Sequence, residues 1–236
     1  MFARTLADLV DLVLPADCAG CGGPPVRAGV CRACMDIVDG PPRPARPTPA
    51  PAGLPPCLVV GDYGGPLREL ILAYKERGRR RLVGPLGDAL ARAVHTGWPV
   101  PGTRVALVPV PSTAAAVRER HLDHMLGLAR RAASRLGRAG VEASVATPVR
   151  ALPRADSAHL SRHARAESAR SAFALRRGDW SDLRRIADAG AVVLLDDVLT
   201  TGSTLAAVAN RLLAAGIPVT FAATLAATLL NADSGV

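Results

Sequence analysis

Val192-Val193-Leu194-Leu195-Asp196-Asp197-Val198-Leu199-Thr200-Thr201-Gly202-Ser203-Thr204 is the stretch from which the fold follows. Val192 to Leu195 form an unbroken apolar run, the pattern of a strand covered on both faces, as in a parallel sheet. Two carboxylates stand where such a strand is expected to end. A hydroxyl-rich turn with one glycine comes next, and Leu205 to Leu213 then has helical spacing. Strand, turn and helix in this order predict an α/β fold, in which ligands bind beyond the carboxyl ends of the strands.

The turn opens a helix, so it presents free N–H groups and the positive end of the helix dipole to an anion. Amides and hydroxyls of Thr200, Thr201, Gly202, Ser203 and Thr204 suit a phosphate, with Gly202 letting the backbone approach closely. Asp196 and Asp197 repel a phosphate but accept hydrogen bonds from the hydroxyls of an adjoining ribose. Together these residues fit a sugar phosphate. The stretch resembles the phosphoribosyl-diphosphate (PRPP) binding motif of type I phosphoribosyltransferases. The bland alternative is an ordinary strand and helix whose aspartates cap the turn.

Upstream, Cys18-x-x-Cys21 is followed after nine residues by Cys31-x-x-Cys34. Two such pairs place four thiolates at the corners of a tetrahedron, and Gly20, Gly22 and Gly23 permit the tight turns of a zinc knuckle. Four cysteine ligands imply a closed, structural Zn²⁺ site with no coordination place left for catalysis. Iron shares that ligand preference. Cys57 stands apart before an apolar strand and reads as a core thiol.

A chain of 236 residues with 49% hydrophobic residues suits one medium domain plus a small accessory unit. Its net charge of +9 comes almost wholly from arginine, since Lys75 is the only lysine. A basic surface attracts polyanions, but the excess is spread along the chain without interleaved aromatics for base stacking. No segment is long and apolar enough to span a membrane. Asp8 and Asp11 interrupt the amphipathic start, which argues against a secretory leader, and a cytoplasmic location is expected.

Residues 2–13 read as a short helix, and residues 1–38 as that helix plus the knuckle. Residues 39–56 are so rich in proline that they read as a semi-rigid linker, leaving 57–236 as the main domain. Within it, 57–62, 105–108, 141–147 and 218–225 read as strands, and 67–75 and 82–94 as helices. Lys75, Arg118 and Arg120 are candidates for a diphosphate, the arginines following the Val108-Pro109-Val110-Pro111 loop. His121 and His124 lack a third ligand and read as surface residues. The polar, arginine-rich stretch 150–176 reads as a flexible active-site flap.

The order of parts carries a wider resemblance. The cysteine knuckle, Tyr63-Gly64-Gly65-Pro66-Leu67-Arg68, Val108-Pro109-Val110-Pro111, Arg118-x-Arg120 and Asp196-Asp197-Val198-Leu199-Thr200-Thr201-Gly202 together resemble the ComF family of competence-associated bacterial proteins. That resemblance covers residues 14–225. It implies a parallel-sheet, type I phosphoribosyltransferase-like domain that binds PRPP with Mg²⁺ and acts in DNA uptake. Displacement of diphosphate from C1 by an unnamed acceptor is the implied reaction. Where the family usually continues Arg-x-Arg with Gly-Phe-Asn-Gln, this chain has His121, Leu122, Asp123 and His124, and Ser157 and Ser168 replace a Gln and an Asn. With amide positions altered and the PRPP loop intact, retained binding is favoured over a defined transferase reaction. Two other expectations compete: a non-enzymatic factor holding single-stranded DNA, and a PRPP sensor whose knuckle docks competence proteins.

Overall fold

Apolar runs without alternation and apolar stripes at helical spacing divide the chain into the strands and helices of an α/β fold. The computed structural model describes residues 17–100, 102–120, 122–152 and 172–228. In order they form α1 (Arg32–Val38), β1 (Arg43–Pro44), β2 (Cys57–Asp62), α2 (Gly65–Lys75), a 3₁₀ turn (Arg80–Leu82) and α3 (Val83–Gly97). Then come β3 (Arg104–Pro109), α4 (Ala114–Arg120), α5 (His124–Arg138), β4 (Glu142–Val145), β5 (Val149–Ala151) and β6 (Phe173–Leu175). The chain continues through α6 (Ser181–Ala189), β7 (Ala191–Leu199), α7 (Ser203–Leu213) and β8 (Phe221–Ala227).

Six strands make one sheet in the order β1-β2-β8-β7-β3-β4, parallel throughout except for β1. Strands β5 and β6 pair separately as an antiparallel hairpin. Val192, Val193, Leu194 and Leu195 are all fully buried, because β7 is sandwiched. Val193 and Leu195 join a core with α2, α3 and α5, while Val192 and Leu194 join one with α6 and α7. Each such side chain contributes roughly 1.5–3 kcal/mol by leaving water.

From β3 the chain moves outward to β4, then returns to β7 and moves the other way to β8. The β3–β7 neighbours are therefore the switch point, where the connections diverge and a crevice opens at the carboxyl ends. Pro109 is the last residue of β3 to pair, opposite Leu195. β7 runs on, pairing Asp196, Val198 and Leu199 with Thr224, Ala226 and Ala227 of β8. The strand thus extends past the carboxylates, where the apolar run alone suggested an end. Hydrogen bonding to β8 overrides the loss of hydrophobicity.

The proline-rich stretch 39–56 is laid against the domain. β1 pairs antiparallel with β2 at the sheet edge, a place where proline's missing N–H costs nothing. Leu54 is buried against α7, and Asn210 donates to the Ala52 carbonyl at 3.3 Å. The cysteine-bearing segment also shares the main core, with Val30, Cys34 and Val38 packed in the same cluster as Leu67 and Leu70 of α2. The expected helix at 2–13, His121 and most of the expected flap lie outside the described residues. The flap's two flanks are β5 and β6. Among the described residues, no helix is long and apolar enough to cross a membrane.

Gly190 seats the start of β7 against β3. A Cβ there would lie 2.1 Å from the Arg104 carbonyl oxygen, a backbone atom that cannot swing away. Gly190→Ala should therefore cost about 2–3 kcal/mol, lowering the thermal midpoint by roughly 5–10 °C. Circular-dichroism melts of the two proteins check this, and equal midpoints would mean that β3 and β7 separate freely at that end.

Candidate functional site

At the carboxyl edge of the sheet, the alternation of β7 sends its two aspartates to opposite faces. Asp197 follows Val193 and Leu195 toward α2 and α5. There the Lys75 ammonium, at the last residue of α2, donates to Asp197 Oδ2 at 2.6 Å. The His124 ring, at the first residue of α5, places Nε2 3.3 Å from the same oxygen. On its other side, His124 Nδ1 lies 3.5 Å from Ser112 Oγ, in the loop after β3. Tyr74 donates to the His124 carbonyl at 3.2 Å and Asp123 caps α5 through the Leu126 N–H, which together fix the ring's position.

These side chains are largely withdrawn from water: 6% of His124, 11% of Asp197 and 27% of Lys75 remain exposed. Burial pushes the Asp197 carboxyl up, but the His124 hydrogen bond and the Lys75 charge outweigh it and hold it well below the usual carboxylate range. Asp196 moves the other way. Burial, and then the adjacent Asp197 charge, raise it above the ordinary value, although its Oδ1 accepts the Asp197 N–H at 2.9 Å. One carboxylate is therefore locked in its charged form, and its neighbour holds its proton more tightly.

Asp196 faces the turn. With Val198, Leu199, Thr200, Gly202 and Thr204 it lines a small hollow at the start of α7. Gly202 has φ +75°, a left-handed conformation that favours glycine. A Cβ on it would also press on Leu54, 3.0 Å away, and on Pro47. The residue's lack of a side chain thus admits the chain's own proline-rich segment, a reason beyond ligand approach. Thr201 Oγ1 and Ser203 Oγ lie 3.0 Å apart, and Ala206 is the first to donate an intrahelical bond, to Gly202. The N–H groups of Ser203, Thr204 and Leu205 precede that bond. Such a turn can receive an anion.

The structure gathers Asp196, Asp197 and residues 200–204 at one edge and brings Lys75 onto Asp197. Arg120 instead pairs with Glu76 at 2.8 Å, and Arg118 is exposed on the short α4. His124 corrects the surface reading, being 4% exposed. It lies four, eight and twelve residues before Leu128, Ala132 and Leu136, all buried, so helical periodicity was the available signal. Arg46, from the proline-rich segment, lines a second small hollow with Thr200. No sequence pattern linked it to the turn.

The cysteines form a separate centre. The sulfurs of Cys18, Cys21, Cys31 and Cys34 all lie within 4.8 Å of one another, and those of Cys21 and Cys31 are 3.5 Å apart. A tetrahedron of Zn–S bonds has S···S edges of roughly 3.8 Å. Burial raises the Cys18 thiol, but N–H groups of Cys31, Gly20 and Cys21 outweigh it and bring it down to about 6. Four sulfurs so arranged can hold a metal ion such as zinc. Cys57 is buried elsewhere, its thiol pushed up to about 11 by burial.

Comparison with protein-family models finds no match to the chain, and comparison with curated proteins finds none either.

The opposed shifts give the two aspartates opposite pH signatures. Asp197, lowered on folding, contributes stability that is present above the unfolded aspartate value of about 3.9 and is lost as pH falls below it. Asp196, raised on folding, contributes stability present below that value and lost as pH climbs above it. Asp197→Asn should cost about 3–5 kcal/mol at pH 7 and flatten the acid limb. Asp196→Asn should gain on the wild type as pH rises. Urea unfolding between pH 3 and 9 distinguishes them, and parallel curves for both variants would refute the assignment.

Proposed function

We propose that the chain binds PRPP or a related ribose phosphate with Mg²⁺ at the β7–α7 edge, and Zn²⁺ at the four cysteines. The observation that carries this reading is the division of labour at the end of β7. A pair of carboxylates, Asp197 locked in its charged form and Asp196 facing the turn, precedes by three residues a run of hydroxyls and N–H groups that opens α7, at the sheet's switch point. Asp196 and Asp197 would accept the ribose hydroxyls, and residues 200–204 would hold the 5′-phosphate. Mg²⁺, when bound with the ligand, would neutralise the charge of the diphosphate. The chemistry of this class is displacement of diphosphate from C1 by an acceptor. ComF-like proteins and a role in DNA uptake fit the same reading through the sequence resemblance.

Arginine pairing supports a small ligand over a nucleic acid. Arg77, Arg79, Arg92, Arg104, Arg120 and Arg131 each have a carboxylate within 3.0 Å, so these six are already matched. Phosphate-backbone binding depends on cations free to displace counterions. At the cysteines, the closed set of four sulfurs supports a structural ion.

Calorimetric titration of PRPP with Mg²⁺ into the wild type should give one site per chain. Asp196→Ala/Asp197→Ala should weaken it by roughly 100-fold or more, as expected when charged hydrogen-bond acceptors are lost. A folded wild type that takes up no PRPP would end the reading. Elemental analysis should find one zinc per chain, absent from a Cys18→Ser/Cys21→Ser variant.

A further inference from the structure

The crevice holds a connected row of polar side chains of which ribose and phosphate recognition uses only Asp197. Ser112 Oγ lies 3.5 Å from His124 Nδ1, His124 Nε2 lies 3.3 Å from Asp197 Oδ2, and that oxygen accepts from Lys75 at 2.6 Å. Four different elements supply these groups: the β3 loop, α5, β7 and α2. A hydroxyl, an imidazole and a carboxylate in sequence is the arrangement in which a base is oriented from behind and acts on the hydroxyl in front.

We propose that Ser112, His124 and Asp197 form a proton relay, with the Ser112 hydroxyl as its outer end. Asp197, charged and held by Lys75, draws the imidazole proton to Nε2, leaving the Nδ1 lone pair toward Ser112. His124 is too buried to touch a ligand itself. Ser112 is only half-buried, at the carboxyl end of β3 where the crevice opens. Proton uptake therefore passes through Ser112 to His124, and Asp197 stabilises the imidazolium that forms.

The relay assigns the acceptor's chemical class, an inference that rests on the transferase form of the reading above. A neutral nucleophile bearing an O–H or N–H fits, because it must shed a proton as it attacks. Its lone pair forms the bond to C1 while the C1–O bond breaks, the electron pair leaving with diphosphate. Its proton passes to Ser112 Oγ as the Ser112 proton moves to His124 Nδ1. Ser112 and His124 are then positioning and proton-carrying groups for the acceptor, distinct from the Thr200–Thr204 turn that faces the phosphate.

The same proton movement makes Ser112 nucleophilic, which provides a test independent of any acceptor. Diisopropyl fluorophosphate added to the full chain should phosphorylate Ser112. The Oγ–P bond forms, the P–F bond breaks, fluoride departs, and the serine proton goes to His124. Peptide mass spectrometry should find the adduct on Ser112 in the wild type and none in Ser112→Ala. Its rate should fall at least ten-fold in His124→Gln and in Asp197→Asn. Should His124→Gln fail to fold, the near-isosteric Asp197→Asn, with its melt recorded, decides alone. No adduct on Ser112, or an unchanged rate in the folded variants, overturns the relay. PRPP calorimetry on the same samples separates the two claims: labelling without PRPP binding keeps the relay and sinks the ligand, and binding without labelling does the reverse.

Discussion

A carboxylate taken out of water at the edge of a parallel sheet needs compensating partners, and Asp197 recruits them from two helices. Uncompensated, such a charge costs several kcal/mol. Lys75 at the end of α2 and His124 at the start of α5 meet on a single oxygen of it. Each partner lies at a helix terminus that the core has already fixed. α2 is anchored through Leu67, Leu70 and Ile71, and α5 through Met125, Leu128 and Ala129. The polar centre therefore depends on two apolar packings and in turn sets how the helix ends face the crevice.

The cysteine-bearing segment belongs to the same chain of constraints. Cys18, Cys34 and Val38 pack in the core cluster that holds α2, and Asp17 pairs with Arg79, just beyond the Lys75 end of that helix. An ion at the cysteines would stiffen a segment that braces α2 from outside. Lys75 is the last residue of the braced helix. The cysteine cluster and the crevice are thus linked through one helix, although their side chains do not touch.

What the sequence made legible follows physical rules that are local. The run Val192–Leu195 announces a buried strand because both faces must be apolar, and the double Cys-x-x-Cys announces clustered sulfurs because two short loops suffice. The turn at Gly202 was visible for the same reason. Long-range placement was not. Lys75 and Asp197 are 122 residues apart, and nothing in either's surroundings reveals the other. The proline-rich segment reads as linker by composition, yet β1 and Leu54 make it an edge strand and a cover for α7. Composition describes how stiff such a segment is, and only the sheet edge shows where it lies.

His124 shows where the two kinds of information meet. Its polarity argues for the surface, while its helical register with Leu128, Ala132 and Leu136 argues for the core. Packing wins because a charged partner is already present: the Asp197 carboxylate gives the ring a hydrogen-bond acceptor that burial would otherwise deny it. The His124 ring lies 3.3 Å from the Asp197 carboxylate, and among the described residues only the Lys75 ammonium is nearer, at 2.6 Å. A substitution on a solvated face would leave the crevice unchanged. Here the ring stands between the Ser112 hydroxyl and the Asp197 carboxylate, apart from the turn at Thr200–Thr204.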